Sequence, residues 1–326
     1  MKEKILKMLT NTQESVSGQQ LSDSLGVSRT AVWKVINQLK AEGYQIEAVP
    51  NRGYKIIEYP DLITAEAVKS LLQTKIFGKE VRFYDEIDST NMEARRHAEA
   101  HESHGMVILA EQQNAGKGRR GRNWVSPKGT GIWMSLILKP EFAPEKASML
   151  TLLGALAGAE AIKDCTGLDC RIKWPNDLVV NGKKVCGILT EMSSEIDYIH
   201  YVIIGMGINV NADFFPDDIC HVATSLKLEG KQNYMRNQIA AKILFYLEKH
   251  YEKFCNYGDL RDFVKEYNLL LINRGKEVKI IDSNHTFTGE ALGIDSEGRL
   301  LVKDAAGQIT EVMSGEVSVR GLYGYV

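Results

Sequence analysis

The chain has 326 residues, with 40 Lys and Arg against 42 Asp and Glu and a formal net charge of −2. This length exceeds that of a typical single domain, so it predicts two or three domains. The near balance of charge excludes a polycation that binds nucleic acid over its whole surface. No apolar run approaches the roughly 20 residues that span a bilayer, and the N-terminus lacks a signal-peptide pattern, so we expect a cytoplasmic protein with no membrane association.

Cysteine and histidine patterns give little support for a disulfide framework or a metal site. The five cysteines form no C-x-x-C pair, and their odd number is more typical of reduced thiols. His97 and His101 lie four residues apart, as two ligands on one helix face would. Their acidic neighbours do not follow the H-E-x-x-H pattern, so the sequence favours a solvated helix over a zinc site.

Apolar spacing over the first sixty residues predicts three short helices. Ile5, Leu6 and Leu9 would form the buried side of the first helix, and Leu21 and Leu25 that of the second.

The second predicted helix ends at Gly26. The third begins after Ser28, which is a good N-cap residue. Its apolar residues recur at helical spacing and are Val32, Val35, Ile36 and Leu39. Its outward residues are Arg29, Thr30, Trp33, Lys34 and Asn37.

Residues 44–57 then alternate polar and apolar around the turn Pro50-Asn51-Arg52-Gly53, which predicts a hairpin. Three helices followed by a hairpin are typical of a winged helix-turn-helix, and this predicts DNA binding. The candidate DNA contacts are Ser28, Arg29, Thr30, Trp33, Lys34, Asn37 and Arg52. A helical bundle that binds another protein is the alternative, because basic and acidic residues nearly balance in this segment.

The remainder of the chain predicts an α+β or α/β core, preceded by a linker at residues 59–61 and an amphipathic helix capped at Thr64. Apolar segments at 81–87, 106–112, 131–138 and 201–210 predict strands, and one long helix is predicted from about Ala147 to Cys165. From Ile272 onward, short strands punctuated by Asn, Asp and Gly turns predict a small β-barrel or sandwich. The expected domains span residues 1–60, 61–270 and 271–326.

The segment NAGKGRRGRNW, residues 114–124, combines three glycines with four basic side chains. Glycines let the backbone approach a ligand and direct its N–H groups inward, while the basic side chains add positive charge. The spacing matches neither a Walker loop nor a dinucleotide-binding fold. We interpret the segment as an anion-binding lid hinged on the apolar strand that follows Trp124, and a flexible basic surface loop is the alternative.

Two further segments are expected to converge on the same anion. KWPND at 173–177 precedes an Asn181-Gly182 hairpin turn, after which Lys183 and Lys184 begin an otherwise apolar strand. Adjacent strand residues face opposite sides, so one of the two lysines would point inward and require an anion unless both lie on a solvated edge. GMGIN at 205–209 ends another apolar strand and is a weak signal by itself.

The motifs DSTN (88–91), QNAGKGRRGRNW (113–124), KWPNDL, GKKVCGILTE and GMGIN together resemble those of bacterial biotin protein ligases in order and spacing. With a winged helix-turn-helix in front, the whole chain is similar to the bifunctional subclass that combines biotin ligase and biotin-operon repressor. The resemblance implies a central mixed α/β domain of the biotin/lipoate ligase type and a C-terminal SH3-like β-barrel.

The resemblance also implies roles for individual residues. The implied biotin-binding residues are Ser89, Thr90, Asn91, Gln113, Lys117, Gly118, Arg119 and Lys184. The family usually has an arginine where this chain has Lys117, which keeps the charge but loses the planar bidentate fork. The implied ATP-binding or adenylate-binding residues are Arg119, Arg120, Arg122, Trp124, Lys173, Asn176, Asp177, Asn209 and Arg320. Lys184 and Arg119 would be catalytic, and Asp177 would help to hold Mg²⁺.

The implied activity uses ATP and Mg²⁺ to form biotinyl-5′-AMP from biotin, without a prosthetic group. The implied partners are the biotin carboxyl carrier protein of acetyl-CoA carboxylase, other biotin-dependent carboxylases, operator DNA and a second copy of the chain in a ligand-promoted homodimer. Biotinyl-5′-AMP would be the corepressor. A lipoate ligase, or a regulator that senses a metabolite without catalysis, are the alternatives.

Overall fold

The computed structural model describes residues 1–10, 12, 14–50, 52–100, 104–281, 286–313, 318–321 and 325–326. Asn51 of the predicted hairpin turn and His101 of the histidine pair lie outside the described residues. Within these ranges, no helix combines the length and apolar character needed to cross a membrane. The same ranges contain no group of three or more His, Cys, Asp or Glu side chains that could hold a metal ion.

The predicted N-terminal helices and hairpin are confirmed. The elements are α1 (Lys2–Thr10), α2 (Gly18–Leu25), α3 (Arg29–Ala41), β1 (Gln45–Val49) and β2 (Gly53–Glu58). The two strands pair antiparallel, and the helices pack around their own apolar core, which is separate from the core of the central sheet. Burial of this amphipathic set stabilises three helices that are too short to form alone in water.

Helix α3 has the two faces that the sequence predicts. The hydroxyl of Ser28 accepts the backbone N–H of Ala31, so Ser28 is the N-cap. The four apolar residues of the predicted inner face are buried, whereas Trp33 on the outer face is 56% exposed. Because its side chain is exposed on a polar helix face, Trp33 contributes little to the core and is available to a partner.

An ion pair holds the segment that connects the N-terminal unit to the central domain. Helix α4 (Ala65–Lys69) begins at the predicted cap Thr64. Before it, the Asp61 carboxylate accepts two hydrogen bonds from Arg236, one from the backbone N–H at 2.9 Å and one from Nε at 2.8 Å. Arg236 is 3% exposed, and its Nη1 also donates to Glu111 at 2.8 Å. The segment that the sequence predicts as a linker is therefore tied to the central domain.

A seven-stranded mixed sheet forms the centre of the molecule. Its strands are β3 (Val81–Tyr84), β4 (Val107–Ala110), β5 (Gly131–Leu138), β6 (Cys170–Lys173), β7 (Asp177–Val180), β8 (Lys183–Ser194) and β9 (Ile199–Asn209). The order is β3-β4-β5-β9-β8-β7-β6, and β3 runs parallel to β4 while the other pairs are antiparallel. The four strands predicted from apolar segments are confirmed as β3, β4, β5 and β9.

Helices cover both faces of this sheet. They are α5 (Thr90–Glu99), α6 (Met149–Thr166), α7 (Leu226–Gly230), α8 (Arg236–Tyr257) and α9 (Val264–Leu270). Helix α6, the predicted long helix, packs with α8 over one face, whereas α5 packs on the other. The second long helix, α8, is absent from the sequence-based prediction.

The C-terminal strands form a separate antiparallel sheet, as the turn-rich sequence predicts. They are β10 (Glu277–Ile281), β11 (Thr286–Ile294), β12 (Leu300–Lys303), β13 (Ile309–Val312) and β14 (Ser318–Gly321), in the order β13-β12-β11-β10-β14. The sheet packs against the central domain, where Trp174 Nε1 donates to the carbonyl of Gly298 at 3.1 Å. This packing places residues near the C-terminus beside β6 and β7.

Candidate active site

Glycines on the two central strands form the floor of the site. Gly187 of β8 pairs with Gly207 of β9, and Gly205 lies two residues before Gly207. A methyl group on Gly207 would come within 2.5 Å of Trp124 Nε1, and one on Gly205 within 2.0 Å of an Asn91 oxygen. Glycine is required here because an indole ring and an amide lie directly on the backbone of the sheet.

The start of α5 forms one wall of the site. Thr90 donates its backbone N–H to Gln113 Oε1 at 2.8 Å, and its hydroxyl lies 3.1 Å from the same oxygen. Gln113 Nε2 in turn donates to Ser126 at 2.8 Å. Ser89 and Asn91 flank Thr90, and all three are buried. This end of the cavity is polar and uncharged, which suits a ligand that makes neutral hydrogen bonds.

The basic loop folds over the floor as a small hairpin. Trp124 N donates to the Gly116 carbonyl at 2.9 Å, and Gly118 N donates to the Arg122 carbonyl at 2.7 Å. Arg120, at the tip, has a left-handed backbone with φ of 59°. The Arg119 side chain turns back into the site and donates to Asn176 at 2.8 Å. Burial lowers the pKa of Arg119, so an anion that replaced lost hydration would stabilise its charge.

The adjacent lysines face different surroundings. Lys184 Nζ lies 5.2 Å from the centre of a Trp124 ring and 2.5 Å from Asp177 Oδ1, inside the site. Lys183 Nζ donates instead to the carbonyl of Cys220 at the exposed surface. The Asn181-Gly182 turn has positive φ at both residues, as the predicted hairpin turn requires. One lysine therefore points inward and the other outward.

A second group of charges lies beside Lys184, where β6 and β7 meet the C-terminal residues. Lys173 is 5% exposed, and its Nζ lies 3.2 Å from the centre of the Tyr325 ring. The Tyr325 hydroxyl donates to Asp177. Burial is the main cause that lowers the pKa of Lys173 to about 8; the Asp177 carboxylate opposes this shift, and repulsion by Lys184 and Arg320 adds to it. A buried lysine with two further cations close to it would be stabilised by a polyanion such as a triphosphate.

One cavity lies between the glycine floor, the start of α5, the basic loop and Lys184, and it encloses about 450 Å³, including the solvent at its mouth. It is lined by all eight residues that the resemblance assigns to biotin, namely Ser89, Thr90, Asn91, Gln113, Lys117, Gly118, Arg119 and Lys184. Of the residues assigned to the nucleotide, it is lined by Arg119, Trp124 and Asn176. The rest of the described lining comes from the floor glycines and from Ile188, Leu189 and Met206.

Other residues assigned to the nucleotide lie outside this lining. Asp177 and Lys173 form the neighbouring charged group, and Arg320 of β14 acts on Lys173 through its charge. Arg120 and Arg122 are exposed on the loop. The Asn209 amide donates to the carbonyl of Thr224 at 3.2 Å, away from the cavity.

The sequence does not predict the residues that hold the cavity-lining side chains in place. Ser126 and Ser135 hold Gln113 and Thr90, Glu191 holds Asn91, and Tyr325 covers Lys173. Ser135 could have been found, because it is the lone polar residue of the apolar strand GIWMSLIL. Tyr325 carries no such signal.

Three family models match the chain in the order of its structural units. They are an HTH domain at residues 2–55, the Biotin/lipoate A/B protein ligase family at 84–209, and the Biotin protein ligase C terminal domain at 275–320. The fold and the site thus define a biotin/lipoate ligase module between a helix-turn-helix unit and a C-terminal β domain.

Individual relatives agree with this class over nearly the whole chain. The bifunctional ligase/repressor of Bacillus subtilis is 40% identical, with 94% of each chain covered, and that of Escherichia coli is 33% identical, with 97% of this chain and 96% of the relative covered. The structure of biotin protein ligase from Aquifex aeolicus in complex with biotin and ATP has a TM-score of 0.67 at 32% identity, covering 74% of this chain and 99% of that one. The chain belongs to the bifunctional biotin protein ligase family.

Proposed function

We propose that the protein activates biotin with Mg-ATP, transfers it to a lysine of a biotin carboxyl carrier protein, and represses the biotin operon when the activated intermediate accumulates. The observation that carries the ligase proposal is the cavity itself. It joins a neutral polar end at Thr90 and Gln113 to a cationic end at Arg119 and Lys184. Biotin has the same polarity, with a neutral ureido ring at one end and a carboxylate at the other.

In the first step, a carboxylate oxygen of biotin attacks the α-phosphorus of ATP, and pyrophosphate leaves with the electron pair of the broken P–O bond. Both reactants are anions, so the site must offset their repulsion and stabilise charge on the phosphorus oxygens. Lys184 and Arg119 supply that charge next to the carboxylate end. Trp124, on the glycine floor, provides an aromatic face for adenine.

Mg²⁺ enters as part of the Mg-ATP substrate. Magnesium bound to a nucleotide needs one or two protein carboxylates besides phosphate oxygens and water. Asp177 fits this role because its carboxylate lies between Lys184 and the Lys173 group, where we place the phosphates. Lys173, Asn176 and Arg320 would complete the phosphate site, with Asn209, Arg120 and Arg122 farther along the nucleotide.

In the second step, the acceptor lysine amine attacks the acyl carbon of biotinyl-5′-AMP, an amide bond forms, and AMP leaves. The mixed anhydride hydrolyses readily, so the intermediate must be kept from water between the steps. The hairpin-like basic loop, closed by Arg119 on Asn176, is suited to this lid role.

The repressor role is assigned to residues 1–60, with the catalytic domain at 61–270 and the C-terminal domain at 271–326. Helix α3 would enter the major groove with Arg29, Thr30, Trp33, Lys34 and Asn37 on its outer face, and Arg52 would lie on the wing. We place the protein in the cytoplasm, where a homodimer promoted by biotinyl-5′-AMP would bind a palindromic operator.

The decisive experiment is adenylate formation with purified protein, biotin and Mg-[α-³²P]ATP in the absence of acceptor. We expect one equivalent of bound biotinyl-AMP, which disappears when a biotin carboxyl carrier protein is added. Lipoate in place of biotin is the matched control. Absence of adenylate would favour a regulator without catalysis, and preferential use of lipoate would favour a lipoate ligase.

A further inference from the structure

A chain of hydrogen-bonded side chains runs behind the neutral end of the cavity, from the partly exposed Arg95 and Glu191 to the buried Asn91, Ser135 and Thr90. Arg95 Nη2 donates to Glu191 Oε1 at 3.0 Å, and Glu191 Oε2 accepts from Asn91 Nδ2 at 2.7 Å. Ser135 Oγ lies 2.6 Å from Asn91 Oδ1 and 2.8 Å from Thr90 Oγ1. These contacts join Glu191 to the cavity although it does not line it.

The direction of the first links is fixed by chemistry. A carboxylate only accepts hydrogen bonds, and a guanidinium only donates them. Glu191 therefore holds the nitrogen of the Asn91 amide, and the Leu189 carbonyl, 3.4 Å from the same nitrogen, favours that orientation. The oxygen of Asn91 must then face Ser135. It lies on Gly205, where any larger residue would displace it.

The orientation of the Asn91 amide also fixes which group donates in the hydrogen bond between Ser135 and Thr90. Its side chain is fully buried, and its hydroxyl has one hydrogen, which is committed to the Asn91 oxygen. The Ser135 oxygen can then only accept in its contact with Thr90. The other neighbour of the Thr90 hydroxyl is Gln113 Oε1, which is also an acceptor because it binds the Thr90 backbone N–H. The Thr90 hydrogen is used inside the protein, and its lone pairs face the cavity.

We propose that Glu191 and Ser135 are positioning residues that hold the Thr90 hydroxyl as a hydrogen-bond acceptor and thereby select a ligand edge that carries an N–H donor. The inference rests on the proposed function, in which that edge is the ureido ring of biotin. A cyclic carbamate, in which one ureido N–H is replaced by oxygen, has nearly the same shape but offers an acceptor in place of the donor. Wild-type protein should therefore bind biotin in preference to the carbamate.

The test uses Glu191→Gln, which keeps the size of the side chain but has one oxygen to share between Arg95 and Asn91. When that oxygen pairs with Arg95, the amide nitrogen faces Asn91 and reverses the chain, so that Ser135 donates to Thr90 and occupies a lone pair that would otherwise be open to the ligand N–H. Calorimetry should show biotin binding weakened by about tenfold, the value of one hydrogen bond, and a smaller preference over the carbamate. The KM for ATP, the kcat and the melting temperature should change little.

A second substitution that restores biotin binding distinguishes a positioning role of Glu191 from a merely structural one. Adding Arg95→Met to Glu191→Gln frees the glutamine oxygen to face Asn91, so biotin affinity and the preference over the carbamate should return. Ser135→Ala should weaken biotin binding as well, but Arg95→Met should not rescue it because the link itself is missing. Glu195→Gln, an exposed carboxylate on the same hairpin paired with His200, is the matched control.

The outcomes distinguish the two proposals. If wild-type protein binds no biotin, the proposed function fails. If it binds biotin but Glu191→Gln behaves like Glu195→Gln, or if the double variant is not rescued, the polarity of the pocket is not set by this chain and the inference is wrong.

Discussion

Two neighbouring lysines differ in the solvent and charge around them, and this difference can be measured. Lys184 faces the cavity, Trp124 and Asp177, whereas Lys183 contacts the Cys220 carbonyl at the surface. We expect Lys184→Ala to lower adenylate formation on the order of a hundredfold, because it removes a charged contact that strengthens in the transition state. Biotin-dependent pyrophosphate release is the measurement.

Lys183→Ala is the matched control and should retain most of the activity. Both variants remove one positive charge from the same strand, so a general electrostatic effect would weaken them equally. Comparable losses in the two variants would contradict the assignment of Lys184.

A residue of the site can be predicted from the sequence when the pattern that identifies it lies among its near neighbours in the chain. Alternation along a strand identifies one inward lysine, but the choice of Lys184 came from the resemblance, and the geometry agrees with it. The contact of Lys173 with Tyr325 joins residues far apart in the sequence, and the Asn91 bond to Glu191 spans 100 positions. Such contacts depend on the packing of distant elements, which no spacing rule encodes.

At the scale of elements, the basic loop is joined to the opposite side of the cavity by a side chain at its tip. Arg119 reaches from the loop to Asn176 on the far side of the cavity. Arg119→Gly removes that closure while leaving Lys184 in place, so we expect biotinyl-AMP still to form but to dissociate faster. Free adenylate acylates exposed lysines, and labelling of an unrelated protein such as albumin would report the leak.

Lys128→Gly provides a control, because this residue lies just beyond the loop and pairs with Asp85 at the surface. It should label only the acceptor. An Arg119→Gly variant with an unchanged adenylate off-rate and no labelling of albumin would show that the loop does not retain the intermediate.

Elements were predicted well where the buried face is uniformly apolar. Helix α3 has such a face, and Ser28 marks its start. Helix α8 was missed because its buried face contains Glu248 and His250, whose partners are the Lys75 backbone and Glu160, far away in sequence. Polar residues on a buried face interrupt the periodic signal, and only the tertiary structure shows that they are paired.

At the scale of the whole molecule, the two activities should separate by truncation. The N-terminal unit has its own apolar core, distinct from that of the central sheet. Deleting residues 1–60 should abolish operator binding and leave ligation largely intact, with some loss of stability from the ion pairs of Lys2 with Glu66 and of Glu3 with Lys69. Footprinting and a biotin transfer assay on the same preparation test this, and protection of the operator by the truncated chain would contradict the domain assignment.

Dimerisation should connect the site to the operator. The N-terminal unit carries little net charge, so a monomer should bind DNA weakly. If biotinyl-AMP orders a loop that forms part of the dimer surface, it promotes assembly, and the operator must tighten adenylate binding in return. Sedimentation and footprinting with and without biotinyl-AMP should both respond, and no change in either would refute the coupling.

The ion pair between Asp61 and Arg236 also limits how the N-terminal unit can rotate relative to the central domain. A DNA-binding unit whose connection to the central domain is held by an ion pair resists rotation, whereas one on a flexible linker would rotate freely. In the proposed dimer, the distance and angle between the two recognition helices are then set by the protein. Each base pair inserted between operator half-sites rotates one of them by about 35° relative to the other. A stiff attachment could follow that rotation only by twisting the DNA, so the length of the spacer becomes part of the sequence that the repressor reads.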